Sequence, residues 1–215
     1  MNLLFPAQAP VTLPVTGTAQ RFPLHRIYCV GRNYNGHVVE MGGVAGRDPP
    51  FFFSKPNDAI VLDGRFPYPP MSRDVHHEIE LVVALGPDTK ICGYAVGIDF
   101  TRRDLQAEAK KLGRAWDTAK AFDFSAPVSA ITPRTDMLSS GAIWLDVNGT
   151  RRQTGNLRDM IWNVQEIIDS LGEYFILKPG DIIFTGTPAG VGAVQKGDRL
   201  SGGIEGVGDI SVVVT

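Results

Sequence analysis

HHEIELVVAL, residues 76–85, joins two carboxylates to a long apolar run. We expect residues 81–85 to form a buried strand, because a short apolar run of this length is typical of one. If the strand begins before Glu78, its two-residue period puts Glu78 and Glu80 on one face and Ile79 on the other. Neighbouring carboxylates repel, and burying them is costly without a cation. The stretch therefore predicts either a cation-binding strand or an exposed strand edge decorated with glutamate.

A third carboxylate, Asp99, follows the next apolar run, residues 94–98, just before a helix start. Three carboxylates without an adjoining cysteine suit a hard, oxygen-seeking ion such as Mg²⁺, Mn²⁺ or Ca²⁺ rather than zinc. Glu78, Glu80 and Asp99 are therefore the candidate metal ligands. The alternative is that they are solvated surface groups.

Short strands separated by glycine and proline continue on both sides of this region. Asn148-Gly149 is a strong two-residue hairpin signal. With 24 Gly and 15 Pro, and without a regular alternation of helix and strand, the chain is expected to be a β-rich α+β domain and not a doubly wound sheet. The other predicted strands occupy residues 26–30, 51–53, 143–147, 181–184 and 210–214.

Three helices are predicted between the strands. The first begins at Asn33 or Asn35 and ends at residues 42–43, Gly-Gly. The second covers residues 101–113, where Thr101 can cap the helix and a glycine ends it. The third ends at Gly172, and its apolar stripe consists of Ile161, Val164, Ile168 and Leu171.

The length of 215 residues suits one well-buried domain. Residues 1–24 are punctuated by proline and are expected to be an extended segment or edge strand, ahead of a single domain at residues 25–215. A net charge of -2 and a pI near 6.1 give no basic footprint for nucleic acid or anionic membrane.

Cysteine usage and the first residues favour the cytoplasm. Cys29 and Cys92 lie far apart in apolar runs, so buried reduced thiols are expected rather than a disulfide framework. The N-terminal residues lack the basic start of a signal peptide, and no apolar run approaches the roughly 20 residues that span a bilayer.

Other side chains could carry chemistry. His37 and Glu40 are three residues apart and share a helix face, as in a general base, although an ordinary surface pair has the same spacing. Lys55 and Lys120 have apolar neighbours that could aim an ammonium at an anion, although most lysines are simply solvated. The glycine-rich loop TGTPAGVG, residues 185–192, matches no nucleotide motif. It presents N–H groups to an anion or forms a tight turn.

Six segments resemble, in this order, the fumarylacetoacetate hydrolase family, and the resemblance runs from about residue 22 to the C-terminus. They are GRNYNGHVVE (31–40), FFFSKP (51–56), HHEIELVVALG (76–86), GYAVGIDFTRRDLQ (93–106), AKAFD (119–123) and DIIFTGTPAGVG (181–192).

The resemblance implies a mixed β-roll fold with short helices. It also implies an enzyme that acts on small 2-oxo acids and that is commonly a homodimer. It implies Mg²⁺ or Mn²⁺ at the three carboxylates already named. His37 and Glu40 fall on the family's catalytic pair, and Lys120 falls on its substrate-facing lysine. The positions that contact the 2-oxo acid correspond to Arg103, Gln106 and Thr187. From spacing alone, Arg103 and Gln106 could equally lie on a wet helix face.

Within the family, residues 21–34 and 48–56 most resemble bacterial fumarylpyruvate hydrolases of gentisate degradation. The expected reaction is therefore hydrolysis of a C–C bond in a 3-acylpyruvate, with fumarylpyruvate giving fumarate and pyruvate. Relatives of similar size decarboxylate oxaloacetate or cleave simpler acylpyruvates. A non-catalytic domain with a structural ion is the alternative from another class.

The far carboxylate of fumarylpyruvate needs its own cation. Arg47 is our candidate, because Gly42, Gly43 and Gly46 would let residues 44–50 close over the site as a lid. The alternative is an exposed arginine paired with Asp48. In that case the candidates become Arg32, Lys55 and Arg73.

Overall fold

Short strands and four helices make up the fold of residues 2–215, which a computed structural model describes. The strands are β1 Thr12–Pro14, β2 Arg21–Pro23, β3 Ile27–Gly31, β4 Phe51–Lys55, β5 Ile60–Val61, β6 Arg65–Phe66, β7 Val75–His77, β8 Ile79–Leu85, β9 Ile91–Ile98, β10 Thr101–Arg102, β11 Ala126–Pro127, β12 Thr132–Pro133, β13 Ala142–Val147, β14 Thr150–Asn156, β15 Ile182–Phe184, β16 Gly192–Ala193, β17 Arg199–Ile204 and β18 Gly208–Val214. The helices are α1 Asn35–Glu40, α2 Arg103–Leu112, α3 Asp117–Lys120 and α4 Val164–Tyr174.

Two large sheets enclose the main apolar core. The six-stranded sheet has the order β12-β9-β8-β15-β3-β4, and the five-stranded sheet has the order β14-β13-β17-β18-β6. The first sheet is mixed, because β15 pairs parallel with β3 and antiparallel with β8. Alternate residues of β8, among them Ile79 and Leu81, share this core with Ile143 and Leu145 of β13. The predicted β-rich α+β class, with mixed sheets and short helices, is confirmed.

A second, smaller core covers the opposite face of β8. Val82 and Ala84 pack there with Leu13 and Phe22 of the β1–β2 hairpin, which lies within the segment predicted to be extended. The domain boundary at residue 24 stays a prediction. Glu80 shares the parity of Val82 along β8, so this strand buries a carboxylate where it otherwise buries apolar groups.

α1 begins at Asn35, one of the two predicted starts, but it has no side-chain cap, because the Asn33 side chain donates to the backbone carbonyls of Trp162 and Thr185 instead. The predicted start of α2 at Thr101 is wrong, because that helix begins at Arg103. α2 also lacks a side-chain cap. Thr101 lies in β10, and its hydroxyl accepts a hydrogen bond from Lys120.

The predicted end of α2 is confirmed, but that of α4 is wrong. Gly113 ends α2 in a left-handed conformation (φ 63°). α4 instead continues through Gly172 to Tyr174, and it begins with a capping box between Asn163 and Glu166.

Several local predictions are confirmed. Asn148 and Gly149 both have positive φ values, as a two-residue hairpin turn between β13 and β14 requires. Cys29 and Cys92 are free thiols, but only Cys29 is buried as predicted, and Cys92 is half-buried. Among residues 2–215, no helix is both long enough and apolar enough to cross a membrane.

Candidate active site and metal centre

Three buried carboxylates meet where β8 and β9 lie side by side. Glu78 precedes β8, Glu80 lies within it and Asp99 follows β9, and the Asp99 N–H donates to the Glu78 carbonyl at 2.8 Å. Because Ile79 packs into the main core, both glutamates point to the other face. One ligand oxygen from each of the three carboxylates lies within 4.8 Å of the others. The predicted cluster is therefore assembled by the strand period and by one strand pairing.

Lys120, at the end of α3, is held inside this cluster. Its three N–H groups donate to Glu78 Oε2 at 2.7 Å, Asp99 Oδ2 at 2.6 Å and Thr101 Oγ1 at 2.6 Å. Burial alone would lower the pKa of Lys120, but Asp99 and Glu78 outweigh burial and raise it above its usual value. The ammonium is therefore charged and fully hydrogen-bonded at neutral pH.

Lys55, on β4, is a second buried lysine that contacts the carboxylate cluster. Its ammonium donates to the carbonyls of Lys120 and Phe100 and to Ser125 Oγ. It also lies 2.7 Å from Asp99 Oδ1 without donating a hydrogen bond to that oxygen. The sequence offered this lysine only as one that could face an anion. Its role in holding the loop after α3 depends on contacts that no local pattern encodes.

Arg103, the first residue of α2, completes the cationic side of the site. Its guanidinium pairs with Glu78 and also donates to Gln106 Oε1 at 2.7 Å. An arginine can only donate, so the Gln106 oxygen faces Arg103 and its NH₂ group remains free to donate. Gln106 lines the same pocket as the carboxylates. The two residues thus lie in the site and not on a wet helix face.

Formal charges balance at the base of the pocket. Three carboxylates (Glu78, Glu80, Asp99) face three cations (Lys55, Lys120, Arg103). Within the cluster, however, the pKa values of the two glutamates are shifted in opposite directions. Burial alone would raise the pKa of Glu78, but Lys120 and Arg103 hold it well below its usual range. Burial and the charges of Asp99 and Glu78 raise the pKa of Glu80 well above its usual value.

The residues present fit a divalent cation. Among residues 2–215, Glu80 receives a single hydrogen bond, from the Gly186 N–H at 2.7 Å, and forms no ion pair, whereas Asp99 Oδ1 receives no hydrogen bond and faces Lys55 Nζ at 2.7 Å. Buried carboxylate oxygens with unused lone pairs are costly unless a cation meets them. An all-oxygen set of this kind suits Mg²⁺, Mn²⁺ or Ca²⁺.

His37 and Glu40, on α1, form the predicted pair. His37 Nδ1 lies 3.3 Å from Glu40 Oε2, and His37 lines the carboxylate pocket. An ionised carboxylate only accepts, so Nδ1 carries the proton and Nε2 keeps a free lone pair. Burial lowers the pKa of His37 below its usual value, which Glu78 and Glu40 only partly offset. The imidazole is therefore neutral at pH 7, as a general base must be.

Residues 185–192 connect the two halves of the site. The N–H of Gly186 donates to Glu80, and the N–H of Gly190 donates to Glu40 Oε1 at 2.9 Å. Both glycines have φ values near +95°, a region that L-residues avoid. The loop directs its N–H groups at the protein's own carboxylates, so it positions the candidate metal ligand Glu80 and the partner of the candidate base His37.

Gly190→Ala is expected to damage activity more than folding. A Cβ at Gly190 would lie 2.0 Å from the Arg152 carbonyl oxygen. The loop must move to relieve this clash, and the hydrogen bond to Glu40 is then lost. We expect turnover to fall by at least about tenfold, in line with the loss of one charge-assisted hydrogen bond.

Gly197→Ala is the matched control for this substitution. Gly197 also has a positive φ value, 93°, but a Cβ there meets no atom within 4 Å. It therefore carries the backbone strain without the clash. Melting temperatures and kcat/KM are measured for both variants, and equal losses of activity would contradict the positioning role of the loop.

Gln153, on β14, is a site residue that the sequence analysis missed. Its Oε1 accepts from the Ile79 N–H at 3.1 Å and lies 3.0 Å from His77 Nδ1, so its Nε2 must donate to Thr187 Oγ1, at 2.7 Å. The Thr187 hydroxyl proton is then free to donate to another group. Thr187 lines the pocket. A glutamine with zero exposure gives no local signal in a polar strand sequence, so only the fold reveals it.

Arg47 is not brought together with the other predicted site residues. Its guanidinium pairs with Glu166, lies 4.2 Å from the centre of the Trp162 ring and donates to the Ile161 carbonyl. It forms no ion pair with Asp48 either. Closure of residues 44–50 over the site stays a prediction.

Comparisons with known proteins identify the family. The family model described as fumarylacetoacetate (FAA) hydrolase C-terminal matches residues 26–215. A fumarylpyruvate hydrolase of Ralstonia sp is 44% identical over 176 residues, which are 76% of this chain and 92% of the relative. An oxaloacetate tautomerase of Escherichia coli is 38% identical over 200 residues, which are 86% of this chain and 90% of the relative.

A solved structure of a similar protein has the same fold. The crystal structure of fumarylpyruvate hydrolase from Pseudomonas aeruginosa, in complex with Mn²⁺ and pyruvate, superposes with a TM-score of 0.96 at 44% identity. The match covers 100% of this chain and 99% of that chain.

Proposed function

Because the chain belongs to the fumarylacetoacetate hydrolase family, we propose that it is a metal-dependent hydrolase of 3-acylpyruvates that converts fumarylpyruvate to fumarate and pyruvate. One observation carries the proposal: a single pocket is lined by the general-base candidate His37, by the three carboxylates, and by the donors Arg103, Gln106, Lys120 and Thr187. Hydrolysis of a C–C bond needs a base for water and a sink for negative charge, and this pocket holds both.

Glu78, Glu80 and Asp99 would hold the divalent cation, which supplies Lewis-acid polarisation of the 2-oxo group. His37 Nε2 takes a proton from water while Glu40 fixes the ring, and the water oxygen bonds to the distal carbonyl carbon as the π pair of that C=O bond moves onto its oxygen. The C=O bond then re-forms as the bond between that carbon and C3 breaks, and the electron pair of the broken bond moves into the pyruvate enolate. Lys120 and the Gln106 NH₂ group stabilise the enolate charge. C3 recovers a proton from His37, which yields pyruvate and fumarate.

Product analysis tests the proposal. Relatives named oxaloacetate tautomerases act on a 2-oxo acid as well, and loss of enol absorbance follows either reaction. The purified protein with Mn²⁺ is therefore given fumarylpyruvate, acetylpyruvate and oxaloacetate, and pyruvate release is measured by chromatography. We expect fumarate and pyruvate in equal amounts from fumarylpyruvate. Tautomerisation of oxaloacetate without cleavage of any acylpyruvate would overturn the proposal.

The pH dependence follows from His37. Burial lowers its pKa below 6.5, and the reaction uses the neutral imidazole. Activity is thus retained above the lowered pKa and is lost as the pH falls through it. With saturating Mn²⁺, the acidic limb of kcat/KM for acetylpyruvate is expected below pH 6.5.

Glu40→Gln tests the assignment of this limb. Glu40 raises the pKa of His37 through its hydrogen bond, so the variant's limb is expected at a lower pH than the parent's. A limb above pH 6.5, or one that Glu40→Gln leaves in place, would assign the titration to another group.

We further propose that Mg²⁺ is the resident ion, that the chain forms a homodimer and that it resides in the cytoplasm. The oxygen-only ligand set supports Mg²⁺, although Mn²⁺ suits the same ligands. The free thiols Cys29 and Cys92 support a reducing compartment. Light scattering of the purified protein tests the dimer, and metal analysis of protein purified without added ions tests the assignment of Mg²⁺.

A further inference from the structure

Two cationic side chains at the pocket that holds the carboxylates have no acidic partner. Among residues 2–215, neither Arg32 nor Lys110 forms an ion pair, although both line this pocket. The deeper cations differ, since Arg103 and Lys120 are paired with Glu78. The base of the pocket is thus neutral in formal charge, whereas its remaining lining carries two uncompensated positive charges.

Both side chains line the same pocket, and both residues are exposed. Partial burial of the Lys110 ammonium, then Arg103 and then Arg32, lower the pKa of Lys110 below its usual value. Like charges that line one pocket repel unless an anion lies between them. The side chain of Lys110 is further placed by Trp116, whose ring centre is 5.1 Å from its Nζ.

The backbone at Arg32 is held in an unfavourable conformation. Arg32 has a φ value of 60°, in the left-handed region that is unfavourable for an L-residue. Asn33 beside it is fixed by hydrogen bonds to the carbonyls of Trp162 and Thr185, so the surrounding fold imposes the conformation. Strain of this kind is characteristic of ligand-binding positions.

We propose that Arg32 and Lys110 form a second anion subsite that binds the distal carboxylate of a dicarboxylic acylpyruvate. The inference rests on the proposed function and specifies its substrate class. The donors around Lys120 serve the pyruvoyl end, so the distal end of an extended substrate reaches another part of the same pocket, which Trp116 lines beside Lys110. The trans double bond of a fumaroyl group keeps the second carboxylate away from the first. Arg32 and Lys110 are the unpaired cations available to meet it.

Neutral variants test the subsite. Arg32→Gln and Lys110→Met remove the charges while keeping similar length, and kcat/KM is measured for fumarylpyruvate and acetylpyruvate at saturating Mn²⁺. Acetylpyruvate lacks the distal carboxylate, so its turnover also reports that each variant is folded. Each variant is expected to lower the ratio of fumarylpyruvate to acetylpyruvate efficiency roughly ten- to hundredfold. Lys111→Met, one residue along α2 and outside the pocket lining, is expected to leave the ratio unchanged.

Product inhibition gives a second readout that does not depend on the chemical step. Fumarate is expected to inhibit Arg32→Gln less strongly than the parent, whereas inhibition by pyruvate is unchanged. An unaltered efficiency ratio in both variants, with acetylpyruvate still cleaved, would overturn the subsite alone. A lower ratio in Arg47→Gln but not in Arg32→Gln would instead transfer the role to Arg47. If the parent cleaves no acylpyruvate, the proposed function itself fails.

Discussion

Glu80→Ala is expected to abolish divalent-cation binding and, with it, turnover. Glu78 and Asp99 already share their charge with Lys120, whereas Glu80 receives a single N–H donor, from Gly186. Glu80 is therefore the carboxylate with the most charge left for a cation. Substituting a residue that only holds a metal ligand in place commonly costs 10–100-fold in metal affinity. Removing the ligand itself should therefore lower the affinity for the cation by at least about a hundredfold. Calorimetry with Mn²⁺ and with Mg²⁺ measures it.

Thermal melting in a chelator separates a lost site from a lost fold. Burial and neighbouring carboxylates raise the pKa of Glu80 in the folded protein, so at neutral pH its ionised form opposes folding. The isosteric Glu80→Gln removes that charge and is expected to raise the melting temperature in chelator while still losing the cation. Each kcal/mol gained should add about 2–4 °C for a chain of this size. Parent-like affinity for Mn²⁺ in Glu80→Ala would refute the three-carboxylate site.

His37→Ala is expected to lower acylpyruvate hydrolysis by roughly 10²–10⁴-fold, the usual contribution of a general base. Because His37 is not among the candidate metal ligands, Mn²⁺ affinity should stay within a few-fold of the parent. Decarboxylation of oxaloacetate requires no attacking water, so any such activity should fall much less. The measurements are single-turnover rates on acetylpyruvate and oxaloacetate, with calorimetry for the cation.

His76→Gln is the matched control for the base. Its imidazole pairs with Asp74 at 2.9 Å and does not line the pocket. The control variant should retain hydrolysis within a few-fold. Equal losses on acetylpyruvate and oxaloacetate in His37→Ala would show that His37 supports binding and does not activate water.

Periodicity along single elements made much of the site predictable. The two-residue period of β8 places Glu78 and Glu80 on one face, and the helical spacing of His37 and Glu40 places them together on α1. The sequence also predicted the hairpin after β13, because an Asn-Gly pair between two strands strongly favours a two-residue hairpin turn. These features depend on residues close in the chain.

Features fixed by distant contacts were missed or misjudged. Gln153 is polar and lies in a polar strand, and only its hydrogen bonds with Ile79 and Thr187 make it part of the site. Thr101 has the composition of a helix cap, but a hydrogen bond from Lys120 outweighs that local preference. Arg47 was predicted to reach the pocket through closure of residues 44–50, which stays a prediction, and in this structure it pairs with Glu166, 119 residues further along.

Because the base of the pocket is neutral in formal charge, binding of the divalent ion and binding of the substrate should be coupled. The pyruvoyl carboxylate of a substrate gains little net Coulomb attraction from three carboxylates matched by three cations at the pocket base, whereas a bound divalent ion adds two positive charges there that an anionic substrate offsets. The two ligands should therefore bind with positive cooperativity. By thermodynamic linkage, each must tighten the other by the same factor. A protein supplied with little substrate would hold its ion weakly, and rising substrate concentration would itself recruit the ion.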